Sequence, residues 1–153
     1  MASRRDAIKM SDDEIRSFLE AGRDLQVASI NADGTPHLVT MWFGLLDGEV
    51  AFWTYAKSQK VMNLRRDPRL SVLVATGEVY EQLKGVSIVG RGEIVDDPDE
   101  VLRYGELVYE RYWGPLDDTV REGVRAMGSK RVVILVKPEK VLSWDHSKLG
   151  GAY

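Results

Sequence analysis

Residues 53–68 of this 153-residue chain combine residue types that favour the binding of an anion. An apolar run ends at Tyr55, and Ser58 stands where a helix would begin, so its hydroxyl can accept a hydrogen bond from a free N–H group of the first turn. Lys57 and Lys60 add two ammonium groups at an end where the helix dipole already carries about half a positive charge. A phosphate group nearby would balance this charge. The alternative interpretation is a solvated helix end with ordinary surface lysines.

The composition gives little support to other kinds of site. Because the chain has no cysteine, disulfides, thiolate catalysis and zinc–cysteine sites are excluded. His37 and His146 do not have the spacing of metal ligands, and we predict neither a metal site nor a dedicated catalytic acid or base. A net charge of −3 gives no electrostatic reason to expect nucleic acid. No run could span a membrane, and residues 1–6 lack the apolar segment of a signal peptide, so we expect a cytoplasmic protein.

The elements that must position the candidate site are mainly strands. Asp33-Gly34 and Asp47-Gly48 lie between apolar runs, which predicts two hairpins and an antiparallel meander. Glycines at 90 and 92 predict a bulge or a tight bend inside a strand. The predicted strands cover residues 25–30, 36–43, 50–55, 70–75, 86–95, 131–136 and 140–144. Helices are predicted after the capping residues Ser11, Ser58 and Asp97, and at 116–127.

The strands at 36–43 and 50–55 are apolar on both faces, whereas an antiparallel sheet normally keeps one face in water. Burial of both faces in a chain of this length predicts a closed barrel whose outside is covered by helices or by a second subunit. A homodimer is the arrangement that needs the fewest additional helices. A sandwich with generous internal cover is the alternative.

With these elements laid out, the chain resembles the flavin/deazaflavin oxidoreductases of the split β-barrel superfamily, typified by pyridoxamine 5′-phosphate oxidase. The most specific part of the likeness is the segment 57–69, with Lys60, Asn63 and Leu64 followed by an Arg-Asp-Pro-Arg run. The resemblance implies a mainly β fold, a six-stranded antiparallel split β-barrel with peripheral helices. It implies one domain over 1–153, with an N-terminal helix in 1–22 and the barrel with inserted helices in 24–144. It also implies a homodimer with cofactor sites at the subunit interface.

The resemblance further implies which residues hold the cofactor. Its ring system would lie along the second and third barrel strands, at Val39, Thr40, Met41, Trp53, Thr54 and Tyr55. Its phosphate would contact Lys57, Ser58 and Lys60, in agreement with the argument from the helix start.

Several of these residues have another interpretation. Val39 and Met41 belong to the barrel wall with or without a ligand, and Trp53 and Tyr55 can be interface aromatics. Arg65 and Arg66 are left out of the site because cations favour a helix C-terminus.

The expected function follows from the same resemblance. Residues 147–153 lack the arginine-rich ending of pyridoxamine phosphate oxidases, which argues against a vitamin B6 substrate. The sequence of residues 63–69 resembles that of the actinobacterial members of the family, which often use the deazaflavin coenzyme F420. We therefore expect an F420-dependent oxidoreductase that transfers a hydride between the reduced cofactor and a small conjugated organic acceptor. The alternatives are an FMN-dependent oxidoreductase, a non-catalytic protein that binds or stores the coenzyme, and a haem-binding split barrel.

Overall fold

The computed structural model describes residues 3–151, in which a curled antiparallel sheet is the central element. Its seven strands are β1 (Leu25–Ile30), β2 (Pro36–Met41), β3 (Gly44–Leu46), β4 (Glu49–Tyr55), β5 (Arg69–Thr76), β6 (Lys84–Val95) and β7 (Arg131–Asp145). The α-helices are α1 (Arg4–Ala7), α2 (Asp12–Ala21), α3 (Gln59–Arg66), α4 (Pro98–Trp113) and α5 (Asp118–Gly128), and short 3₁₀ helices lie at Tyr80–Gln82 and His146–Leu149. Between residues 3 and 151, no helix is long and apolar enough to cross a membrane.

The prediction of a mainly β fold with peripheral helices is confirmed, but the number of strands is seven instead of six. The additional strand is β3, which was not predicted, because the strand expected at 36–43 ends before Gly44. The two runs predicted at 131–136 and 140–144 are one strand, β7, which pairs along the length of β6. A shift of register between Val89 and Gly90 marks the predicted bulge and lets Pro138 sit within the strand. The terminal residues 1–2 and 152–153 of the expected domain lie outside the described residues.

Both predicted hairpins are present, but the predicted meander is wrong. β2 pairs with β1, β3 pairs with β4, and the order across the sheet is β2-β1-β5-β6-β7-β4-β3. Because only Trp42 and Phe43 separate β2 from β3, the two outer strands of the sheet are joined by three Cα–Cα steps, a reach of at most about 11 Å. The sheet therefore curls until its two edges approach each other at this corner.

Strand β4 is buried on both faces, as the sequence pattern predicted. Val50 and Phe52 belong to the core inside the curled sheet, and Ala51 belongs to a second core beneath α4. Helix α4 begins after the predicted cap Asp97, whose carboxylate accepts hydrogen bonds from the N–H groups of Asp99 and Glu100. A helix of this chain thus covers the outside of β4, while Leu38 on β2 keeps 68% of its surface exposed.

Tyr104 fixes α4 onto β4. Its ring is fully buried, and its hydroxyl donates a hydrogen bond of 3.0 Å to the carbonyl of Ala51. Burial raises the pKa of the Tyr104 hydroxyl far above its ordinary value, so the group remains a neutral donor over the whole physiological range.

Replacing Tyr104 by phenylalanine should lower the free energy of unfolding by about 1 kcal/mol, because the buried hydrogen bond to Ala51 is lost while the ring is kept. Urea unfolding measures the change. Tyr109→Phe is the matched control, since the structure gives the Tyr109 hydroxyl no hydrogen bond within residues 3–151. Equal stability of the two variants would contradict this role of Tyr104.

Candidate functional site

The start of α3 has the geometry that the sequence predicted. Ser58 is the N-cap residue, and its hydroxyl accepts a hydrogen bond of 3.4 Å from the N–H of Val61. The Ser58 hydroxyl also receives a bond of 3.3 Å from the hydroxyl of Thr54, which is buried at the end of β4. The N–H of Ser58 donates to the carbonyl of Tyr55. The strand end and the helix cap therefore form one bonded unit.

Two lysines stand at this helix start without counter-ions. Lys57 is exposed and Lys60 is half-buried, and within residues 3–151 neither makes an ion pair or a side-chain hydrogen bond. Burial lowers the pKa of the Lys60 ammonium from its usual 10.5. The first turn of α3 has no acidic residue that could balance the two cations and the helix dipole. An anion bound here would balance the positive charge of the two lysines and of the helix dipole.

A second set of bonds holds α3 against β1. The side chain of Asn63 is fully buried, and its amide donates to the hydroxyl of Ser29 at 3.1 Å and to the carbonyl oxygen of the Asn31 side chain at 3.0 Å. Gln59 donates to the Asn63 amide oxygen at 2.8 Å. The guanidinium of Arg66 donates to the carbonyl of Ile30. This network, which the sequence did not reveal, fixes the direction in which the helix start points.

A pocket of about 870 Å³ lies beside the helix start, and we call it the β4–β7 pocket. Three of the predicted site residues, Tyr55, Lys57 and Ser58, form one wall, whereas Thr54 and Lys60 do not line the pocket. The other walls were missed: they comprise Asp96 before α4 and the segment Ser129, Lys130, Arg131 and Val132. Their proximity comes from the pairing of β4 with β7, in which Tyr55 lies opposite Arg131. No local sequence signal indicates that pairing.

Arg131 is the most firmly held cation of the β4–β7 pocket. Its guanidinium lies 4.3 Å from the ring centre of Tyr55 and 5.1 Å from that of Trp53. One of its terminal nitrogens donates a hydrogen bond of 2.6 Å to the carbonyl of Met127, near the end of α5. These contacts fix the guanidinium plane before any ligand arrives.

Trp53 does not line the β4–β7 pocket, although its ring lies beside Arg131. It packs beneath α4 and α5, where its ring centre is 6.0 Å from that of Tyr104. Gly105 makes room for it, because a Cβ atom at that position would come within 2.7 Å of the indole. The partly buried side chain of Trp53 therefore packs against the helix interface.

The predicted residues of β2 lie along the other edge strand of the sheet. Val39 and Met41 pack against the core inside the curled sheet, and Thr40 points outward and donates to Gln26 at 2.6 Å. None of the three lines the β4–β7 pocket. In the described part of the chain, the edge of β2 that faces away from β1 has no strand partner. The same is true of the edge of 53–55 that faces away from β7, because the β3–β4 ladder ends at Ala51.

Comparison with known proteins agrees with this architecture. A sequence profile of the family described as pyridoxamine 5′-phosphate oxidase matches residues 11–145. The chain therefore belongs to this family, and the resemblance inferred from the sequence is confirmed. No match was found among curated proteins.

Several solved structures are similar to this chain. A conserved hypothetical protein from Mycobacterium tuberculosis is 44% identical, with a TM-score of 0.94, over 99% of this chain and 95% of its own. An F420 reductase is 30% identical, with a TM-score of 0.65, over 82% of this chain and 94% of its own. HutZ, the heme storage protein of Vibrio cholerae, is 17% identical over 89% of this chain and 97% of its own, with a TM-score of 0.69, and shows a likeness of fold alone.

Replacing Ser58 by alanine should lower the free energy of unfolding by about 1 kcal/mol, as for other N-cap serines, since it removes the acceptor of the Val61 N–H group. Thermal unfolding monitored by circular dichroism checks this value. The control is Ser17→Ala on the exposed surface of α2, where alanine should be neutral or slightly stabilising. If Ser58→Ala is as stable as Ser17→Ala, the cap does not hold the helix start.

Proposed function

We propose that this protein is an oxidoreductase that uses the deazaflavin coenzyme F420 and binds the cofactor phosphate at Lys57, Ser58 and Lys60. The observation that carries the proposal is the pair of lysines at a capped helix start, with no counter-ion in the described chain. Membership of a family that includes oxidoreductases supports the reaction class. The similarity to an F420 reductase at 30% identity supports the choice of cofactor.

The residues at the start of α3 fit a phosphate group. The free N–H groups of the first turn and the Ser58 hydroxyl are hydrogen-bond donors, and the two ammonium groups supply positive charge. A phosphate would also compensate for the desolvation that lowers the pKa of Lys60. When bound, the cofactor supplies the hydride chemistry, and the protein contributes position and electrostatics.

The unpaired strand edges support a location for the ring system. If the β3–β4 ladder continued for three more residues in the same register, Met41 would lie opposite Thr54. Instead, β2 pairs with β1, and the two strands separate. The resulting split is bordered by the backbone of 39–41 on one side and of 53–55 on the other. A planar ring in this split could accept and donate hydrogen bonds along both edges. This arrangement would unite Val39, Thr40 and Met41 with Trp53, Thr54 and Tyr55 in one site.

Two rival functions lead to different outcomes of the same experiments. An FMN enzyme would bind FMN more tightly than F420 in a calorimetric titration. A non-catalytic coenzyme carrier would bind F420 but would not oxidise the reduced coenzyme when quinone-like or enone acceptors are added. The proposed oxidoreductase binds F420 and oxidises its reduced form in the presence of a small conjugated acceptor. The absence of heat with both cofactors, on folded protein, would contradict the proposal.

Replacing Lys60 by alanine should weaken cofactor binding by about 1.5–3 kcal/mol, because a hydrogen bond to a charged group is lost. Thermal stability should stay unchanged or rise slightly, since a partly desolvated cation is removed. Calorimetric titration measures the affinity. The matched control is Lys140→Ala, which removes an exposed, unpaired lysine of β7. Equal affinity in both variants would identify Lys60 as solvated surface.

We further propose that the protein forms a homodimer whose cofactor sites lie between the subunits. Leu38, Val89 and Val141 are large apolar residues of three strands, and each remains at least 41% exposed in the single chain. A second copy would bury such residues and would close the split from outside.

Replacing Leu38 by glutamate should convert the dimer into a monomer, because the carboxylate would lose its water at the interface. Analytical ultracentrifugation measures the mass. Val79→Glu serves as the control, because Val79 is an exposed apolar residue outside the sheet. A wild-type protein that sediments as a monomer would contradict the dimer, as would a dimeric Leu38→Glu variant.

A further inference from the structure

The corner between β2 and β3 carries a group of aromatic rings, which we call the aromatic platform. It consists of Trp42 on the connection and of Tyr109, Tyr112 and Trp113 at the end of α4. The ring centres of Trp42 and Trp113 are 4.8 Å apart, and those of Tyr109 and Trp113 are 5.1 Å apart. Trp42 keeps 44% of its surface exposed, and Trp113 keeps 56%. The platform therefore leaves the apolar surface of two indoles in contact with water.

Tyr112 holds the aromatic platform in place. Its ring lies parallel to that of Trp42, with a distance of 4.3 Å between the ring centres and an angle of 4° between the ring planes. The Tyr112 hydroxyl accepts a hydrogen bond of 3.1 Å from the N–H of Phe43 and donates one of 2.6 Å to the carbonyl of Arg23. Because Phe43 belongs to the core, these bonds fix the Tyr112 ring relative to the sheet. A ligand that stacks on the platform meets rings that are already ordered, which lowers the entropy cost of binding.

The aromatic platform lies where the split proposed for the cofactor ring begins. Trp42 directly follows Met41, the last residue of β2, so the Cα atoms of these two residues are about 3.8 Å apart. The side chains of the connection lie on opposite sides of the sheet, since Phe43 is fully buried in the core and Trp42 packs on α4. A ligand in contact with Trp42 would therefore lie beside the outer side of the split.

The reaction class that we propose favours one kind of ligand for this surface. A molecule that accepts a hydride is electron-poor, and a conjugated acceptor is planar. The faces of indole and phenol rings carry partial negative charge from their π electrons. An electron-poor ring stacked on such a face gains electrostatic attraction in addition to the burial of apolar surface. The platform and a planar acceptor are therefore complementary in shape and in charge.

We propose that the aromatic platform is the binding site of the hydride acceptor, and that it selects planar, electron-poor acceptors by stacking them on Trp42 and Trp113. This inference rests on the proposed function, because the acceptor must reach a cofactor ring in the split. The selection acts on the ring system of the acceptor. A flexible aliphatic acceptor would gain no stacking energy and would bind weakly.

Two probes with the same carbon skeleton test the platform in the full-length protein without added cofactor. Menadione is an electron-poor quinone, and 2-methylnaphthalene lacks its two carbonyl groups. The chain has four tryptophans, whose indole N–H signals can be followed separately by NMR. Menadione should shift the signals of Trp42 and Trp113 and leave that of Trp144 on β7 in place. Its affinity should be about tenfold higher than that of 2-methylnaphthalene, because of the additional electrostatic attraction.

Replacing Trp113 by leucine keeps an apolar side chain at the end of α4 but removes the π system. The preference for menadione over 2-methylnaphthalene should disappear in this variant, while the affinity for F420 stays unchanged. The KM for menadione in the oxidation of reduced F420 should rise about tenfold. The matched control is Tyr80→Leu, which removes an exposed ring outside the platform and should preserve the preference for menadione.

The titration of the wild-type protein decides the question even if Trp113→Leu does not fold. Unmoved signals of Trp42 and Trp113 up to the solubility limit of menadione would overturn the inference. Equal affinities for the two probes would also overturn it, since they would indicate apolar contact without selection for electron-poor rings. The same holds if the two signals respond to protein concentration and not to menadione, because a second copy of the chain would then cover the platform. Calorimetry with F420 tests the proposed function separately, so each can fail without the other.

Discussion

Uncompensated positive charge at the start of α3 is the constraint on which the account of this molecule depends. Lys57 and Lys60 lie at a helix end that is itself positive, and within residues 3–151 neither forms an ion pair. A fold gains no stability from such an arrangement, because cations oppose the helix dipole at this end and burial lowers the pKa of Lys60. The arrangement becomes favourable when an anion is bound. On our proposal that an anion binds here, function explains better than stability why these residue types occur together.

The surrounding structure keeps this charge in one place. The hydrogen bond between Thr54 and Ser58 joins the helix start to β4, and buried Asn63 joins the helix to β1. The pairing of β4 with β7 then brings Arg131 beside Tyr55. The two unpaired strand edges border a split next to these groups. The sites that we propose for an anion and for a planar ring would both follow from one topology, in which β2 and β3 are only two residues apart but pair with different strands, β1 and β4.

Features that depend on neighbouring residues could be predicted from the sequence. The cap at Ser58, the helix after Asp97 and the turn at Asp47-Gly48 all follow from local backbone chemistry, and each is present. Features that depend on which strands pair with each other could not be predicted from the sequence. The sequence does not reveal that Trp53 fills a space beneath α4, or that Arg131 lies opposite Tyr55, because both follow from the strand order. The prediction of a meander was wrong for the same reason. Turn signals identify hairpins, but they do not identify the partner on the other side of each strand.

The most direct test is a crystal structure of the protein with a phosphorylated cofactor bound. We predict that the phosphate lies within hydrogen-bond distance of the Ser58 hydroxyl and of the ammonium groups of Lys57 and Lys60, with the ring in the split between β2 and β4. A cofactor whose phosphate lies elsewhere on the protein, with both lysines still exposed to water, would contradict it.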